Sequence, residues 1–83
     1  MNQRVHVRVI PRSGLLDPQG QAVEHALGVL GFSGVTDVRI GKAIELSVAA
    51  DSPAAAEALV RRMCEQLLAN PVTEDFVIEV EAR

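Results

Sequence analysis

Two residue pairs, Asp17-Pro18 and Ser52-Pro53, limit what this chain can fold into. In each, a short polar side chain can accept the orphan N–H groups of a first helical turn. The proline that follows fits the first helical position, where no N–H is needed. Each pair starts a helix, so the rest of the chain must be arranged around two helices. After Asp17, the apolar residues Val23, Ala26, Leu27 and Leu30 recur at helical spacing. Gly31 then serves as a left-handed cap, with Phe32 folding back on Leu27. After Ser52, Ala56, Leu59, Val60, Met63 and Leu67 mark one face, and Glu57 and Arg61 pair four residues apart on the other. Asn70-Pro71 ends this second helix.

Between and around the helices the period changes to two. Val5, Val7 and Val9 alternate with His6 and Arg8, and Pro11 closes the run. Val38 and Ile40 alternate with Asp37 and Arg39, and Ile44, Leu46 and Val48 with Glu45 and Ser47. Gly41-Lys42 between these two runs is expected to be a tight hairpin turn. Phe76, Ile78 and Val80 alternate with Val77, Glu79 and Glu81 in a last strand. The order strand, helix, strand, strand, helix, strand is the split β-α-β pattern. The expected fold is α+β: one domain over residues 1–83, an antiparallel sheet with two helices on one face. Leu46, Val48, Leu59, Met63 and Ile78 are the expected filling. Arg4, His6, Arg8, Ile10, Glu45, Ser47, Val77, Glu79 and Glu81, with Asp37 and Arg39, fall on the other sheet face.

Composition narrows the function. A chain of 83 residues is 48% hydrophobic but only 2% aromatic, so its core is aliphatic. So small a core is often completed by oligomerising or docking. The net charge of −3 argues against a nucleic-acid partner, and two Phe residues make no base-stacking platform. A lone cysteine, Cys64, forms no internal disulfide and suits a reducing cytosol. Met1-Asn2-Gln3-Arg4 leads into no long apolar run, so neither a signal peptide nor a membrane span is expected.

No group of side chains makes a convincing active site. His6, between Arg4 and Arg8, reads as a solvated histidine whose charged form the two cations disfavour. His25 sits beside the first helix's apolar stripe, at a core edge or interface. Cys64 has no ligand partner at metal spacing and reads as an inert thiol. Glu74, Asp75, Glu79 and Glu81 read as a solvated edge. Arg12-Ser13-Gly14 has a weak capacity to hold an anion but lacks a phosphate-loop signature. Gly20 is out of place, since glycine in a first turn costs roughly 0.5–1 kcal/mol relative to alanine. Either backbone approaches it closely or it is a tolerated weak start.

Leu16-Asp17-Pro18-Gln19-Gly20, His25-Ala26-Leu27, Asp37-Val38-Arg39-Ile40-Gly41-Lys42 and the stretch from Met63 to Phe76 resemble the PurS family. These are the small subunits of phosphoribosylformylglycinamidine synthase. The resemblance covers nearly the whole chain; the loop Pro11-Arg12-Ser13-Gly14 departs mildly from the family pattern. It implies a ligase subunit of purine biosynthesis with no active site of its own. A PurS subunit bridges a PurQ-type glutaminase and a PurL-type synthetase, which convert formylglycinamide ribonucleotide, ATP and glutamine to formylglycinamidine ribonucleotide. ATP and Mg then belong to the synthetase, and this chain carries no cofactor or metal. The chain is expected to be cytoplasmic, to form a homodimer or dimer of dimers, and to meet its partners through Asp17, Gln19, Gly20, Arg39 and Lys42. Close approach of another chain would then explain Gly20. The alternatives are an amino-acid sensing domain of similar fold and an acylphosphatase-like enzyme using Arg12.

Overall fold

The computed structural model of the chain describes residues 2–14 and 17–81. Leu15 and Leu16, which precede the first helix start, lie outside them. Strand β1 (Asn2–Pro11) is the centre of a three-stranded sheet of order β2-β1-β3. It runs antiparallel to β2 (Lys42–Ala49) on one side and β3 (Glu74–Val80) on the other. Central placement explains its pattern: Val5, Val7 and Val9 are 0%, 2% and 0% exposed.

Helix α2 (Pro53–Met63) covers that valine face. The Ser52 hydroxyl accepts the Ala55 N–H at 3.1 Å, as expected of its cap. Ala56, Val60 and Cys64 are fully buried against the sheet. Ile44, Leu46, Leu59, Met63, Phe76, Ile78 and Val80 pack around them half-buried, and Val48 is buried. The helix then widens into one π-helical turn, Cys64–Leu68, and the Ala69 N–H returns to the Cys64 carbonyl. Val60→Ala removes two methylenes' worth of fully buried surface and leaves a void. It should cost about 2–3 kcal/mol in urea unfolding; an unchanged midpoint would place Val60 outside the core.

The first helix behaves differently. Helix α1 (Pro18–Val29) starts and ends as its sequence requires. Asp17 caps Gly20 at 3.0 Å, and Gly31 has φ +98. The Phe32 and Gly31 N–H groups return to the Leu27 and Gly28 carbonyls, a Schellman ending. Yet among the described residues α1 makes no extensive contact with any strand or with α2. Its stripe stays open: Val23, Leu30 and Phe32 are 39%, 72% and 59% exposed. The expectation that both helices cover the sheet is corrected to one. The chain is therefore long, 50 × 27 × 14 Å, with a radius of gyration of 16.1 Å. A compact domain of this length would have about 12 Å.

The expected strand over 37–40 is also corrected. Residues 35–41 form no regular element and join no sheet. Asp37 has φ +55, which breaks a strand, and the amides that would bond to a neighbouring strand are taken by carboxylates. Val38 N–H donates to Glu24 Oε1 at 3.4 Å and Ile40 N–H to Asp17 Oδ2 at 2.9 Å. Gly41 is not at a hairpin tip: it leads into β2 against the Val9 carbonyl and Ile10, where a methyl group would overlap.

Candidate interaction site at the first helix start

Asp17 is the hinge of this region. One carboxylate oxygen caps α1 through Gly20, and the other holds Ile40, twenty-three residues away in sequence. These backbone donors, Ile40 first, hold its carboxyl below the usual carboxylate range. The latch brings the 35–41 segment so close that a methyl on Gly20 would overlap the Val38 carbonyl oxygen. The backbone that approaches Gly20 is this chain's own.

Asp17 and Arg39 line one open depression of about 300 Å³, with Gly14, Gln21, Glu24, Asp37 and Val38. Arg39 sits 4.0 Å from Asp37 Oδ2 and donates to the Pro11 carbonyl at 3.3 Å. Gln19 is exposed on the first turn of α1, and Lys42 is exposed at the start of β2. Asp17 and Gly20 are thus spent on internal geometry, while Gln19, Arg39 and Lys42 lie exposed around them, Arg39 with its guanidinium held by Pro11 and Asp37.

The remaining chemistry-bearing residues fall into structural roles. Arg12 is no anion cradle. Its guanidinium donates to Asp75 Oδ1 at 3.1 Å and to the Val72 and Pro71 carbonyls at 3.1 and 2.7 Å, clasping the turn before β3. That turn is also closed by Glu74, whose carboxylate accepts the Asn70 N–H at 2.7 Å. Cys64 is buried, and burial pushes its thiol above the ordinary value, so it stays protonated and unreactive at neutral pH. His25 is exposed on α1. His6 reverses the sequence expectation: Glu81, by hydrogen bonding, and Glu45 outweigh Arg4 and raise its pKa. Sequence neighbours gave only the cations; the carboxylates arrive through strand register, which sets His6 opposite Glu45. Among the described residues no three His, Cys, Asp or Glu side chains cluster to hold a metal. No helix among them is long and apolar enough to cross a membrane.

The fold recurs in solved proteins. The family profile described as PurS, phosphoribosylformylglycinamidine (FGAM) synthase, matches residues 4–82. The phosphoribosylformylglycinamidine synthase subunit PurS of Bacillus subtilis is 49% identical over 78 residues, covering 94% of this chain and 92% of that protein. The solved PurS of Methanocaldococcus jannaschii, one of the subunits of formylglycinamide ribonucleotide amidotransferase, superposes with a TM-score of 0.83. It is 34% identical over 100% of this chain and 99% of its own. A chain in the structure of PurLQS from Thermotoga maritima superposes with a TM-score of 0.86 at 32% identity, covering 98% and 99%. None of these similarities is to an amino-acid sensor or an acylphosphatase. With a family profile spanning nearly all of it and a relative almost half identical, the chain belongs to the PurS family of phosphoribosylformylglycinamidine synthase subunits.

Proposed function

We propose that this chain is the non-catalytic bridging subunit of a cytoplasmic phosphoribosylformylglycinamidine synthase. It joins a glutaminase subunit and an ATP- and Mg-using synthetase subunit and helps keep ammonia between them. The observation that carries this reading is the superposition on a chain of the Thermotoga maritima PurLQS structure along nearly its whole length. The side chains agree with it: the thiol is buried, His6 and Arg12 are held in intramolecular contacts, and Asp17 is a backbone latch. Membership in the family's synthase subunits is the reason for assigning the cytoplasm.

The same proposal includes a homodimer in which a second copy covers the open stripe of α1. Its support is the extended shape together with Val23, Leu30 and Phe32 left exposed along the projecting helix and just past its end. Exposed apolar area of this kind on a small chain marks an interface.

Gln19, Arg39 and Lys42 are the proposed contacts to the partner enzymes. The test is reconstitution of the three subunits with Arg39→Ala and Lys42→Ala together. Both side chains lie outside the core, and the 4.0 Å Arg39–Asp37 pair is worth about 0–1 kcal/mol at most, so the variant should fold normally. Glutamine-dependent turnover should fall about tenfold, equivalent to ~1.4 kcal/mol of lost association, with ammonia-dependent turnover falling less. Parent-level assembly and turnover would make this pair ordinary surface.

A further inference from the structure

The sheet face turned away from α2 holds an arrangement that the bridging role does not use. His6, on the central strand, has a carboxylate at each ring nitrogen. Nδ1 is 3.1 Å from Glu45 Oε1 on β2, and Nε2 is 2.9 Å from Glu81 Oε2, just beyond β3. A carboxylate can only accept. A neutral imidazole has one N–H and one lone pair, so it satisfies one of these contacts and repels the other. Only the imidazolium, with two N–H donors, makes both.

Among the described residues, the charged groups around the ring come from the three strands and the residue that follows β3. Arg4 and Arg8 flank it on β1; Arg4 also reaches Glu45 at 3.7 Å and Ser47 Oγ at 3.3 Å. Glu45 faces it from β2. Glu79 lies opposite it on β3, and Glu81 follows where the chain leaves that strand. The Glu81 N–H continues the pairing by donating to the Arg4 carbonyl at 2.8 Å. His6 thus touches carboxylates from both sides of β1.

We propose that Glu45, His6 and Glu81 form a proton-operated clip that fastens both edge strands to β1. With the proton present the face is tied edge to edge by two charge-assisted hydrogen bonds. Without it, the ring can donate to only one of the two carboxylates, and the face loses one positive charge. The sign follows from the folded chain's holding this proton more tightly than the unfolded chain. The stabilisation is complete below the ordinary histidine value of 6.5 and is lost as pH rises through the higher folded value.

The test is a histidine-ring NMR titration of the whole chain, folded and in urea, with His6→Asn used to assign the rings. In the folded chain the His6 midpoint should lie above its midpoint in urea. Glu45→Gln and Glu81→Gln should each move it down, and the two together further. The backbone amides of Glu45 and Glu79 should follow the His6 curve. The melting temperature should decline through the same pH interval, and decline less in His6→Asn. A midpoint equal to that in urea, or one that both Gln variants leave in place, overturns the clip. A raised midpoint with edge-strand amides that do not follow it also overturns it, because the ring would then be charged without fastening anything.

Discussion

Gly20→Ala is expected to loosen α1 from the segment that holds it by about 1–3 kcal/mol, the range for forcing an extra methyl into a filled space. Two effects oppose each other at this position. Alanine favours the helix by roughly 0.5–1 kcal/mol over glycine. Against that, the new methyl would overlap the Val38 carbonyl oxygen and crowd the Asp17 carboxylate. The carbonyl is backbone held in place by the Ile40–Asp17 bond, so it has little room to move aside. The clash wins, and its effect is local because α1 lies apart from the sheet and α2. Hydrogen exchange should show α1 amides losing protection about 5- to 150-fold, the same free energy expressed as a ratio, with β1 amides changing far less. Unchanged or greater protection in α1 would mean that the segment gives way freely and that the latch holds nothing. Because backbone donors depress the Asp17 carboxyl, the latch is complete above the ordinary carboxylate range. It is lost as pH falls through the lower folded value, so acid should release α1 while the valine core persists.

The features that sequence made legible are those governed by near neighbours. Asp17 and Ser52 cap, Gly31 adopts a left-handed conformation, and Val5, Val7 and Val9 turn inward, because each outcome is decided within a few residues. The features it concealed are decided at long range. Alternation of Val38 and Ile40 says that a segment is extended, but not whether another strand or a pair of carboxylates takes its amides. Arg12 has the loop position of an anion ligand, and only the folded chain brings the Pro71 and Val72 carbonyls to it. Gly20 was legible as an anomaly. Its cause, the Val38 carbonyl, was eighteen residues away.

The apolar stripe of α1 is the case in which periodicity states that a face is covered without saying by what, and it yields the second large effect. If a second copy covers it, Leu30→Lys and Phe32→Lys together should weaken self-association by about thirtyfold or more. That corresponds to the ~2 kcal/mol lost when an interface anchor is removed. The positions suit the test. Leu30 is the C-cap residue and Phe32 lies beyond the helix, 72% and 59% exposed, so neither contributes much to the fold of one copy. Lysine is the right replacement because a cation near a helix C-terminus is favourable, whereas aspartate there would destabilise α1 by itself. The Schellman bonds to Gly28 and Leu27 use backbone alone and survive both changes. Sedimentation velocity at micromolar concentration should show the parent as a dimer or larger and the variant shifted to monomer, with α1 still helical by NMR. A parent that is monomeric, or a variant that associates as tightly as the parent, would remove α1 from the interface. The proposed partner enzymes would then be the next occupants to test, by whether the same variant loses assembly with one of them.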